Sequence, residues 1–133
     1  MPSLEIRPVT HRRDRERFIA LPYQQYRNDP LWTPPLRRDV REMLSPDRNP
    51  FFDHASLASF LALRDGRVVG RVAAIDSGRH EEIHHDQVGF FGFFECENDQ
   101  EAARSLVDAA AQWASVRGKK ALRGPASPSM NDE

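Results

Sequence analysis

The chain has 133 residues, enough for one domain with a core of its own. Hydrophobic residues make up 39% and charged residues 29%, a balance that excludes a disordered chain and fits a globular one. Lys and Arg number 19 against 20 Asp and Glu, a formal net charge of −1, which gives no general electrostatic hold on nucleic acid or anionic membrane.

The single cysteine, Cys96, excludes an intrachain disulfide framework and a Cys-rich zinc site. The opening residues Met-Pro-Ser-Leu-Glu-Ile-Arg lack the apolar run of a signal peptide. No stretch approaches the ~20 apolar residues of a membrane span. The expected compartment is therefore the cytoplasm, with no membrane partner.

The chain has no internal repeat and reads as one domain over 1–133, alternating strand and helix character. Leu4 to Val9 is a short strand. Thr10 is placed to cap a following helix that carries Phe18, Ile19, Leu21 and Tyr26, and Pro22 is expected to kink or divide it. Asp29 to Leu36 holds three prolines and Trp32, the pattern of an ordered loop docked on the body. A short helix over about 37–44 follows, ended by the prolines between Ser45 and Pro50.

Leu57 to Arg64 and Arg67 to Ile75 form the clearest hairpin, with Asp65-Gly66 supplying the positive φ angles of a type I′ turn. Leu57, Leu61 and Leu63 lie on one face, Ala58, Phe60 and Ala62 on the other. Two apolar faces predict a sheet covered on both sides by helices. Val88 to Cys96 reads Val-Gly-Phe-Phe-Gly-Phe-Phe-Glu-Cys, a strand by its phenylalanines. Gly89 and Gly92 inside it predict a bulge or a close backbone approach.

Asn98 then opens a helix, with Glu101 three residues on as a variant capping box. Ala103, Leu106, Val107, Ala110, Trp113 and Ala114 form its apolar stripe, and Gly118 fits the position past its end. Lys120 to Gly124 is a last strand. The strand–helix–strand order predicts a right-handed crossover with the two strands parallel.

This order, with its bulge-prone fourth strand, resembles the GNAT N-acetyltransferase superfamily. The words "DPLWTPPLRRDV", "NPFFDHA", "DGRVVGRVAAI" and "VGFFGFFECEND" are similar to a bacterial N-acetyltransferase-like family, over essentially the whole chain. The resemblance implies an α/β (α+β) fold with a mixed, mostly antiparallel sheet and helices on both faces. It also implies that "GPASPSMNDE" corresponds to an internal segment of longer relatives, so that the C-terminal elements of the fold lie beyond it. The function implied for the complete protein is acyl transfer from acyl-CoA, acetyl-CoA in the first instance, to a small-molecule or protein amine. Two alternatives stand beside it: a non-catalytic GNAT-like module that binds a ligand or protein, and an RNA-dependent aminoacyl or peptidyl transferase on the same fold.

The resemblance places the pantetheine arm along Phe93, Phe94 and Glu95, and the pyrophosphate on backbone amides of the loop around Asn98, Asp99 and Gln100. Glu95 is then the candidate general base; the alternative is that Glu95 and Glu97 simply end the strand. The sequence departs from the superfamily at the phosphate loop. The usual Arg/Gln-x-x-Gly-x-Gly/Ala is replaced by Glu97-Asn98-Asp99-Gln100-Glu101-Ala102, without glycine and with three carboxylates.

Three further features have plain structural readings. His80-Glu81-Glu82-Ile83-His84 matches the zinc pattern H-E-x-x-H, yet it lies in a short polar gap with no evident third ligand, so no metal is expected. Arg12, Arg13, Arg15 and Arg17, with Arg37, Arg38 and Arg41, interleave with Asp14, Glu16 and Asp39. That is the composition of a solvated helix face more than of an RNA-binding patch. Tyr23, Tyr26 and Trp32 are aromatics near prolines, which usually pack and only sometimes line a site, and the default reading of Cys96 is a small buried hydrophobe.

Overall fold

The computed structural model describes residues 3–25 and 55–126. The elements are β1 (Leu4–Pro8), α1 (Arg12–Gln25), β2 (Ala55–Arg64), β3 (Arg67–Ser77), α2 (Gly78–His84), β4 (Val88–Cys96), α3 (Gln100–Val116) and β5 (Ala121–Ala126). The loop expected over Asp29 to Leu36, the helix expected over 37–44, Tyr26, Trp32, Arg37, Arg38, Asp39 and Arg41 lie outside the described residues.

The five strands lie in sequence order, β1-β2-β3-β4-β5. The first three pairings are antiparallel, and β4 with β5 is parallel, as the crossover through α3 requires. Asp65 (φ 53°) and Gly66 (φ 83°) make the two-residue turn between β2 and β3. The mixed, mostly antiparallel sheet has helices on both faces. Phe18 of α1 packs with Leu61, Leu63 and Ala73 on one face. Ala102, Leu106 and Ala110 of α3 pack with Ala62, Val72 and Ala74 on the other.

Three boundaries differ from expectation. Pro22 stays inside α1 and does not divide it. A proline leaves the carbonyl four residues earlier without its helical donor; here that carbonyl belongs to Phe18, and the Nη1 of Arg71 donates to it at 2.7 Å. α1 begins at Arg12, so His11, not Thr10, stands at the cap position, where its carbonyl accepts from the Arg15 N–H. The segment 78–84, expected as a polar gap, is the short helix α2, with Ile83 59% exposed.

α3 buries Ala102, Leu106, Ala110 and Ala114, a stripe at i, i+4 spacing. Gly118 follows its end at φ 86°. A side chain at Gly89 would come within 3.0 Å of the Ala114 Cβ, so that glycine serves close helix–strand packing.

Candidate functional site: a strained bulge beside an acidic helix start

β4 carries the expected bulge, but at neither glycine. The β3–β4 register runs from Ala73 opposite Gly92 to Arg71 opposite Glu95, so Phe93 and Phe94 share the single residue Val72. Phe93 takes φ 52°, a left-handed conformation that costs a non-glycine residue about 1–3 kcal/mol. The extra residue resets the alternation of faces. The Phe93 ring joins the α1 face, edge-on to Phe18 at 6.1 Å. Phe94 joins the α3 face, edge-on to Phe91 at 6.3 Å.

Arg71 lies beneath the bulge. It is only 6% exposed, in the middle of the apolar run from Val68 to Ile75 of β3. Its Nε donates to the Phe93 carbonyl at 2.9 Å, and its Nη1 to the Phe18 carbonyl. The guanidinium carbon stands 4.8 Å from the Phe18 ring centroid and 5.5 Å from that of Phe93. A trans peptide directs its C=O and N–H to opposite sides. With the Phe93 carbonyl turned to Arg71, the Phe94 N–H points away from the guanidinium. β4 pairs with β5 from Val88 to Gly92, and no β5 register partner stands beside 93–96 among the described residues. Sequence reasoning missed Arg71; the available signal was a lone charge inside Val-Val-Gly-Arg-Val-Ala-Ala-Ile.

The helix start is closed by the chain's own side chains. Asp99, not Asn98, is the N-cap of α3 (φ −142°, ψ 95°), and its carboxylate accepts from the Ala102 N–H at 3.0 Å. Glu101 does not complete a capping box. It pairs with Arg64 at 2.8 Å, and the same guanidinium binds Asp99 at 2.9 Å. Arg67 pairs with Glu97 at 2.6 Å. The three carboxylates that stand in place of a glycine-rich phosphate loop are thus met by two arginines of the β2–β3 hairpin. In this arrangement Asp99 takes an amide and the positive charge a pyrophosphate would need, so the loop does not fit that group as it stands. Asn98 and Gln100 are exposed, and Glu95 is half-buried opposite Arg71.

The hydrogen bond from the Ala102 amide, then that from Arg64, holds the Asp99 carboxyl below its usual range. For Asp76, burial works upward, but Arg117 and Lys119 outweigh it and the net shift is also downward. A depressed carboxylate pKa adds stability that is complete above the unfolded-state value of about 3.9 and is lost as the pH falls through the folded value. Asp99→Asn keeps a capping oxygen and loses the ion pair. Its melting temperature is expected to lie below wild type at neutral pH and to converge with it on acidification, with Asp76 supplying the slope that remains. An acid limb as steep as wild type in thermal melts from pH 7 to pH 2 would contradict the Asp99 pairing.

The remaining candidates carry structural duties. Glu81, the glutamate of the H-E-x-x-H match, accepts from the Gln87 N–H at 2.9 Å and lies 3.4 Å from the Lys119 ammonium. Among the described residues no group of three or more His, Cys, Asp or Glu is placed to hold a metal ion. Burial, then the nearby Asp99 and Glu97 charges, pushes the Cys96 thiol upward, away from the thiolate a nucleophile needs. Arg12, Arg13 and Arg15 are exposed. Asp14, expected on the same solvated face, is instead buried and meets Arg7, His11 and Arg17 at 3.2–3.6 Å. No helix of the described residues is long and apolar enough to cross a membrane.

This architecture is the GNAT fold. The chain superposes on a tandem GNAT protein from the clavulanic acid biosynthesis pathway with a TM-score of 0.68, at 17% identity, covering 97% of this chain and 40% of that one. It superposes on the aminoglycoside N-acetyltransferase AAC(6')-Iy in complex with CoA with a TM-score of 0.62, at 23% identity, covering 96% and 80%. In sequence it is 39% identical over 132 residues to the bacterial ceramide synthase of Caulobacter vibrioides, and 33% identical over 128 residues to Protein YghO of Escherichia coli. Those matches cover 98% and 96% of this chain but only 34% and 33% of the relatives, so the chain spans about a third of the length of the curated proteins it matches. No family model matches the chain.

Proposed function

We propose that this chain forms the acyl-donor side of an N-acyltransferase, which moves an acyl group from a CoA thioester to an amine. The observation that carries this reading is the bulge at Phe93, in a fold shared with proteins solved with CoA or acetyl-CoA. In the reaction, the amine nitrogen attacks the thioester carbonyl carbon. The C–N bond forms and the C–S bond breaks. The Phe94 N–H stabilises the oxyanion. Glu95 takes the amine proton, directly or through water, and the departing thiolate is protonated from solvent. Phe93 and Phe94 border the donor's arm.

The name of the Caulobacter relative bears on the substrate. A ceramide is a fatty amide of a long-chain amino alcohol, so its synthesis is an amide-forming N-acylation. That favours a fatty acyl donor and a lipid-like amine over acetyl transfer to a polar one. A CoA thioester carries a pyrophosphate, so on this reading Arg64 and Arg67 exchange their carboxylates for it and the helix-start loop opens when the donor binds. The closed ion pairs at the helix start favour a second reading, a GNAT-shaped module that binds without catalysis.

Calorimetric titration of acetyl-CoA and octanoyl-CoA into the full-length protein separates the two. Saturable micromolar binding, with thiol release on adding an amine, supports the transferase. Glu95→Gln is then expected to lower turnover by about 10²-fold or more with donor affinity nearly unchanged. No binding of either thioester at millimolar concentration would exclude the transferase reading.

A further inference from the structure

We infer that Arg71 is a positioning residue for the acyl-transfer site: it sets the 93–94 peptide so that the Phe94 N–H faces the thioester. The inference rests on the reading of the bulge given above. Two local irregularities each expose a backbone carbonyl. Pro22 removes the helical donor to Phe18, and the bulge turns the Phe93 carbonyl out of the ladder. One buried guanidinium takes both carbonyls, at 2.7 and 2.9 Å, through two different nitrogens. Its planar fork fixes the direction of each bond, which a lysine's single ammonium head does not do. The Phe18 and Phe93 rings lie against it and exclude water from the pair.

The consequence is mechanical. α1, through the Phe18 carbonyl, and β4, through the Phe93 carbonyl, are clamped to one rigid group on β3. The φ of 52° at Phe93 is held against the strain it carries. Freed from the clamp, the peptide relaxes, and the amide no longer points steadily away from β3. Arg71 itself does not touch the donor; its effect on the chemistry passes through the direction of one N–H.

The test uses Arg71→Lys and Arg71→Met in the full-length protein, with folding checked by thermal melts. In Arg71→Lys, kcat is expected to fall by about 10²-fold with the KM for acyl-CoA within about threefold of wild type. The carbonyl stretch of a bound acyl-CoA ketone analogue, shifted to low frequency in wild type, should return toward its value in water. A purely structural role would lower thermal stability and leave that frequency alone in the folded fraction. Hydrogen exchange at residues 92–95 is measured on the ligand-free protein, so it does not depend on activity. Both variants should exchange faster there, by about tenfold or more. Wild-type exchange and a wild-type carbonyl frequency in Arg71→Lys would overturn the inference. If wild type binds no acyl-CoA, the transferase reading fails on its own, and unchanged exchange in the variants would separately refute the clamp.

Discussion

Phe18→Ala is expected to cost about 3–5 kcal/mol of folding stability, the range for truncating a buried aromatic. Phe18 is 1% exposed and, among the described residues, is the largest wholly buried side chain on the α1 face. Its removal forfeits the transfer energy of the ring, opens a cavity among Leu61, Leu63 and Ala73, and uncovers the guanidinium of Arg71. The last loss places the cost toward the upper end of that range, because a desolvated cation–π contact is worth about 2 kcal/mol. Phe18→Leu restores most of the apolar volume but not the ring under the charge, so it should fall between wild type and alanine. Urea unfolding with an unchanged m-value would measure both. A loss below about 1 kcal/mol for the alanine variant would mean that α1 does not close this face.

The opposite face allows a sharper test, because there two residues compete for one space. Leu106 is fully buried, and Leu106→Ala is expected to cost about 2–5 kcal/mol. Gly70 lies directly beneath it on β3. A methyl group there would come within 2.8 Å of the Leu106 Cδ1, 3.0 Å of the Cys96 Sγ and 3.2 Å of the Glu95 carbonyl. Gly70→Ala alone therefore overpacks the site and should cost about 1–3 kcal/mol. In the double variant the new methyl enters the space that the leucine vacates. The combined loss should be smaller than the sum of the two by about 0.5–3 kcal/mol. Simple additivity in the double-mutant cycle would show that α3 does not sit over Gly70.

Much of the fold was legible because it depends on short-range rules. The Asp65-Gly66 turn, the two-sided apolar pattern of β2 and β3, and the parallel return through α3 all follow from neighbouring residues and chain handedness. Some local readings slipped by one residue for reasons that lie elsewhere in the chain. Asn98 and Asp99 are both good caps, and Arg64, 35 residues earlier, binds the carboxylate of Asp99. Pro22 reads as a residue that kinks or divides the helix, yet Arg71 takes the carbonyl it orphans, and the helix is not divided. The segment 78–84 gave no apolar period to read. α2 is held instead by a polar chain through Glu81, Lys119 and Asp76.

The candidate site divides along the same line. By itself the sequence determined that β4 is a phenylalanine-rich, bulge-prone strand running into an acidic helix start, because strand propensity and capping chemistry act over a few residues. Only the tertiary structure decided that the bulge falls on Phe93 and not on a glycine, that Arg71 lies buried beneath it, and that Arg64 and Arg67 pair with the three carboxylates of the acidic loop. Each of these depends on side chains brought together from strands and helices distant in sequence. A left-handed phenylalanine is stable only where such neighbours over-determine it.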